Sequence, residues 1–247
     1  MSTSPSPLEI SEEPKSFAAR LGGVFIAPSA TFADVARKPD FVAPLIVSVL
    51  ASVAMFESML WKIGIERIMR QQIEHSSRAS NMTPEQMQQA VEQGARFGGI
   101  ITHLSAFLAV PIGALIVAGI GLLIASVIFG SPLPFKTAFS VTCYAGLVSV
   151  LFALMAMALI LFGDPEHFNP QNLVPSNVGF FLPPETSKPL MSLAGSFDIF
   201  TLWDMALLAI GFSEATARKA KSVSLFLTFF GVWMVWVLIK MGLATLF

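Results

Sequence analysis

Two long stretches of this chain, residues 97–135 and 137–163, contain no Asp, Glu, Lys or Arg and are filled mostly by Leu, Ile, Val, Ala and Phe. A helix needs about 20 apolar residues to cross the roughly 30 Å hydrocarbon core of a bilayer, and soluble domains seldom place two such runs back to back. The pattern therefore predicts a membrane protein. Read outward from these runs, it gives five spans: Phe41 to Trp61, Phe97 to Phe129, Ala138 to Phe162, Leu193 to Phe212 and Val223 to Phe247. The expected fold is all-α, an integral membrane bundle of five transmembrane helices, with little chain left for a soluble catalytic domain.

Ahead of the first span, Phe17, Leu21, Val24, Phe25, Phe32 and Val35 recur at mostly helical spacing among polar residues. Pro28 and the Gly22-Gly23 pair should divide this segment into two amphipathic interfacial helices, suited to the headgroup layer with Arg20, Arg37 and Lys38 toward phosphate; a packed amphipathic lead-in outweighs specific lipid recognition, so membrane contact alone is expected. After the first span, helical character continues from Ile63 to Arg78; a straight helix from Lys62 would project about 25 Å beyond the membrane. The polar run from Ser76 to Asn81 ends it. Thr83, Pro84 and Gln86 then form a capping box with proline at the first helical position, so a new helix should run through Arg96 into the second span. Pro111 is expected to kink that span, whose Gly113, Ala114, Ala118, Gly119 and Gly121 suit close packing against neighbouring helices. Between the third and fourth spans, Pro165, Pro170, Pro175, Pro183 and Pro184 exclude a long helix, while the apolar run Val178 to Leu182 predicts a loop folded back onto the membrane surface.

Composition points to the same class: 54% of residues are hydrophobic, 13% are charged, and the mean hydropathy is +0.71. The net charge of -1 gives no reason to expect a nucleic-acid partner. The single cysteine, Cys143, falls in the third span, which excludes an intrachain disulfide and a cysteine-based metal cluster and reads as a small buried hydrophobe. Residues 1–14 are rich in Ser and Pro with Glu9, Glu12 and Glu13, and lack the basic start and apolar core of a cleaved signal peptide. They read as a disordered tail, with the membrane domain covering residues 15–247 and its first span acting as the insertion signal. Lys15, Arg20, Arg37, Lys38, Lys136 and the compact Arg218, Lys219 and Lys221 cluster share one side. Lys62, Arg67, Arg70, Arg78, Arg96 and Lys188 lie on the other, four of them interleaved with Glu66, Glu74, Glu85 and Glu92. The positive-inside rule then places the amino terminus in the cytoplasm and the carboxyl terminus outside.

Candidate chemistry is confined to the spans. Glu57, His103, Asp198, Asp204 and Lys240 all fall toward the outer ends of their helices once the alternating directions are followed. Ionisable groups at such depth face the bundle interior and pair, because a lone charge at the centre costs about 2.5–3.5 kcal/mol or more. They predict an intramembrane polar layer with Lys240 as counter-ion of Asp204 or Glu57. Such a layer could hold a proton or cation for transport; alternatively, Lys240 and Glu57 snorkel to the interface and Asp204 is paired structurally. No inverted repeat is visible to favour transport. Enzymatic chemistry has no support: there is no nucleophile elbow, no zinc-binding helix motif and no phosphate-binding glycine loop, and His75, His103 and His167 are scattered. No cofactor is expected.

Short motifs in shared order carry a family resemblance. Phe25 to Phe32, then Arg37-Lys38-Pro39-Asp40-Phe41 with Pro44, resembles the segment leading into the first span of bacterial members of the Yip family, the Ypt/Rab-interacting membrane proteins. Phe135 to Val141 with Tyr144 resembles the segment opening the third span, and Ser196 to Trp203 the one opening the fourth. The resemblance, from about Phe17 onward, implies five transmembrane helices and a cytoplasmic amino terminus, here in the inner cell membrane. Eukaryotic relatives bind prenylated Rab-type GTPases in vesicle traffic, but their Asp-Leu-Tyr-Gly-Pro element and long amino-terminal domain are absent, so Rab binding does not carry over, and the family supplies no catalytic residue. The expected role is non-enzymatic: presenting residues 17–40 and the 212–222 loop, with Arg218, Lys219 and Lys221, to headgroups or to a membrane or peripheral protein partner. Small-ion or solute transport through the polar layer is the competing expectation.

Overall fold

The computed structural model describes residues 15–74, 76, 81–163, 173–183 and 185–245. The expected tail over residues 1–14, together with His75, Arg78 and His167, lies outside them. Among the described residues the regular elements are helices: α1 (Phe17–Ile26), α2 (Pro28–Arg37), α3 (Val42–Ile63), α4 (Ile65–Glu74), α5 (Pro84–Leu123), α6 (Phe135–Ala145), α7 (Val148–Phe162), α8 (Lys188–Ser196), α9 (Ile199–Ala215) and α10 (Ser222–Leu243). The stretches 42–63, 84–128, 135–162 and 222–243 are each long and apolar enough to cross a membrane. The fifth crossing expected from the sequence falls on α9, whose 17 residues stand at the lower limit of a spanning length.

Local chemistry explains where these helices begin and break. The Thr83 hydroxyl accepts from the Gln86 amide at 3.3 Å while the Gln86 side chain accepts from the Thr83 amide at 2.9 Å, the reciprocal capping box that starts α5. The Glu85 carboxylate, bonded to its own amide and to the Thr83 side chain, has its pKa lowered from the ordinary value. The helix then runs through Pro111 and ends in a π-helical turn at Ile124–Ile128.

Other elements depart from the expected pattern. The straight projection after the first span does not form, because Gly64 adopts φ 82°, a region that side chains resist, and α4 starts afresh. It folds against α5 instead, with Met69 seated over Gly94 and Gly98. Gly22 and Gly23 do not break α1, which continues to Ile26; Gly23 is where α1 meets Thr31 of α2, and the break falls at Ala27, ahead of Pro28. The third span is two helices, interrupted at Gly146 and Leu147. The span expected from Leu193 to Phe212 is also two, since Asp198 stands in extended conformation and caps α9 by accepting from the Phe200 and Thr201 amides at 2.8 and 3.2 Å.

The main core draws on α1, α2, α6, α9 and α10, with Val24, Phe32, Val35, Tyr144, Phe212 and Leu225 fully buried. The two amino-terminal helices thus insert their apolar faces into the bundle, packing on α6 and α9. Gly211 lets them do so: a Cβ there would stand 2.4 Å from Val141 and 2.9 Å from Phe32. Outward-facing positions on the spans are large and apolar, among them Ile46, Leu50, Ile100, Leu104, Ile116, Leu154, Leu227 and Trp236. That inversion of the soluble pattern suits a lipid environment.

Candidate functional site

At the end of the bundle where α1 and α2 pack, the burial of Phe32 and Val35 carries Asp34 into the core with them, 2% exposed. Its partner is Arg20, which is also 2% exposed: Nε donates to Asp34 Oδ2 at 2.8 Å, and Nη1 bonds Asp40 and the Lys38 carbonyl. The Tyr144 hydroxyl on α6 donates to the other oxygen of Asp40 at 3.0 Å. Burial works against the Arg20 charge, yet the Tyr144 hydroxyl and the two carboxylates outweigh it and hold the guanidinium pKa above its ordinary value. Arg20 therefore does not face headgroup phosphate, as its place beside a span suggests. Arg37 and Lys38 remain exposed.

The Arg218, Lys219 and Lys221 cluster sits on the α9–α10 turn at the same end, all three exposed. Ser213 Oγ donates to the Ala220 carbonyl at 2.8 Å, Thr216 Oγ1 to the Ser213 carbonyl at 2.9 Å, and the Arg218 amide to the Ser213 carbonyl at 2.8 Å. These bonds hold Ala217 and Arg218 in left-handed conformation, φ 52° and 61°. Arg218 turns back to Glu214, both Nε and Nη2 donating to its carboxylate, and this contact raises its pKa.

At the opposite end the five candidate polar residues do not form one layer. Glu57 Oε1 and His103 Nε2 pair at 2.9 Å, each side chain about half exposed, at 50% and 51%. His103 Nδ1 lies 2.6 Å from the Gly99 carbonyl, so the ring is held between α5 backbone and the Glu57 carboxylate. Lys240 reaches neither Asp204 nor Glu57. It sits in the last turn of α10, which packs on α8, and its Nζ donates to Ser196 Oγ at 3.2 Å.

Asp198 and Asp204 instead share a partly open cavity of about 570 Å³ lined mainly by α3, α5, α6, α7 and α9. Asp198 is committed: besides capping α9 it accepts from Ser176, and beside it the Ile199 amide donates to the Ser176 carbonyl at 3.0 Å and the Val178 amide to the Phe197 carbonyl at 3.3 Å, so the described part of the proline-rich loop is pinned over one end of the cavity. Asp204 lies one and a half turns deeper. Its Oδ1 is shielded from solvent and has no hydrogen-bond partner among the described residues, and the same is true of Ser48 Oγ on α3, another lining residue. The break between α6 and α7 opens onto this space through Thr142, Gly146 and Ser149. Irregular backbone is tolerated at membrane depth only where protein buries it or it lines a cavity. The break at Gly146 and Leu147 falls inside an uncharged, largely apolar run, so hydropathy gave no sign of it. No group of three or more His, Cys, Asp or Glu side chains suited to a metal ion occurs among the described residues.

A bundle of apolar helices exposing large aliphatic side chains, with buried polar groups gathered between its spans, defines a multi-pass α-helical membrane protein. The Yip1 domain family model matches residues 22–242, and the chain belongs to that family. It is also similar to the Bacillus subtilis (strain 168) protein described as membrane protein YknW, at 25% identity over 211 residues that make up 85% of this chain and 84% of that one. No protein of solved structure matches the chain.

Proposed function

We propose that this Yip1-domain protein is a non-enzymatic membrane organiser that presents a fixed basic surface at one end of its bundle to an acidic peripheral or membrane protein partner. The observation that carries this reading is the anchoring of that surface. The Arg20–Asp34–Asp40–Tyr144 network locks α1 and α2 to α6, and the bonded turn after α9 holds Arg218, Lys219 and Lys221 beside them. Preorganised charge recognises a partner without the entropic cost of ordering a loop. The excess of exposed Lys and Arg at this end supports a cytoplasmic amino terminus and, with α10 running away from it, an outer carboxyl terminus in the inner cell membrane.

The test is chemical crosslinking and affinity recovery from nanodiscs, read by mass spectrometry, with the Arg218→Gln, Lys219→Gln, Lys221→Gln triple variant beside the parent. A defined acidic protein recovered with the parent and reduced about tenfold or more with the variant is expected, each basic group near an anionic surface contributing about 1 kcal/mol. Equal recovery from both overturns the proposal.

A further inference from the structure

We propose that the cavity around Asp204 is a binding site for a small organic cation, a protonated amine carrying an apolar body. The orphaned atoms come first: Asp204 Oδ1 and Ser48 Oγ are both buried, both unpaired and both on the wall of the same cavity, although they reach it from α9 and α3. Buried polar atoms are nearly always bonded, so two orphans facing one space mark the place of a missing partner. No Lys, Arg or His lines that space among the described residues, and the basic side chains expected in the same layer bond elsewhere, Lys240 to Ser196 and His103 to Glu57. With no cation on the wall, a ligand is the natural source of a positive charge to complement Asp204.

The rest of the lining sets its class. At about 570 Å³ the space is far larger than a bare metal ion needs and falls in the range of small-molecule pockets. Apart from its few polar groups the wall is apolar, with Ala109, Val110, Ala114, Val117 and the Phe152–Phe200 pair, whose rings meet edge to face at 5.6 Å. A hard inorganic cation wants a shell of six or more oxygens, whereas most of this wall is apolar. An ammonium needs a carboxylate and a hydroxyl or two, and gains further from aromatic faces. Asp204 Oδ1 would accept from the ammonium, Ser48 Oγ would take a second N–H, and the apolar body would lie along α5 and the phenylalanine pair.

Equilibrium dialysis of radiolabelled n-hexylamine against the full chain in nanodiscs, with empty nanodiscs subtracted, tests this. Saturable binding is expected, weakened about tenfold or more by Asp204→Asn, as for loss of a hydrogen bond to a charged group. Because Asp204→Asn can disturb packing, Gly113→Leu serves as a second variant: Gly113 lines the cavity, and a Cβ there meets no atom within 4 Å, so leucine should fill the space and abolish binding without distorting the helix. Excess n-hexanol, the same body without charge, should not compete. Absence of saturable binding, binding unchanged in both variants, or equal competition by hexanol or by sodium chloride at matched concentration each overturns the proposal. The site is remote from the basic surface, and the Arg218, Lys219, Lys221 variant should bind hexylamine as the parent does, so the two proposals fail separately.

Discussion

A basic residue just ahead of a membrane span is ordinarily a snorkelling cation, and Arg20 reads that way when its neighbours in sequence are its only context. What claims it instead is a set of partners 14, 20 and, through Asp40, over 100 positions away: Asp34, Asp40 and Tyr144. Arg20→Ala leaves Asp34 ionised and buried without its guanidinium, so we expect a loss of about 3–5 kcal/mol, as for breaking a buried pair from one side, checked by thermal unfolding in detergent. Arg20→Lys should rescue only in part, since an ammonium cannot reach Asp34, Asp40 and a carbonyl at once. One sign was present in the sequence. Asp34 lies between Phe32 and Val35 on the side of α2 that must be buried, and an acid carried into a core calls for a base.

Among whole helices, those with local punctuation were readable and those shaped by tertiary contact were not. The start of α5 was legible because Thr83, Pro84 and Gln86 act within one turn. The interruption at Gly146 was not, because apolar residues continue on both sides and hydropathy is blind to a lost hydrogen bond; the one before Ile199 had a local sign in Asp198, a residue type suited to cap a helix. The cavity beside these breaks was hidden from hydropathy as well, although Asp204 itself stood out as an acid inside a span. Glycine shows the same divide: Gly22 and Gly211 are indistinguishable as letters, yet a Cβ at Gly22 meets nothing within 4 Å whereas one at Gly211 collides with Val141 and Phe32. Gly211→Ala should therefore destabilise by about 1–3 kcal/mol through overpacking, and Gly22→Ala should be neutral or slightly stabilising, measured side by side by the temperature at which monomer is lost on size exclusion.

For the molecule as a whole, the alternation of the spans gives two chemically different ends. One gathers α1, α2 and the α9–α10 turn with their basic residues; the other carries the α4–α5 hairpin and the loop pinned over the cavity. Because Cys143 is the single cysteine, a Cys143→Ala background permits clean mapping. Lys219→Cys should react with a membrane-impermeant maleimide only after cells are opened, and Glu185→Cys should react in intact cells; the reverse pattern inverts the orientation. The two ends are also joined mechanically. From its cap at Thr83, α5 continues for 40 residues, about 60 Å, twice the thickness of the hydrocarbon core, and its first turns, ahead of the expected span, are braced by α4. At Pro111 that helix lacks a rung, because proline has no amide to offer the Phe107 carbonyl, and on either side of it Val110 and Gly113 belong to the cavity wall. A missing rung is where a helix bends most readily, so bending of the hairpin against the bundle would fall beside the chamber around Asp204.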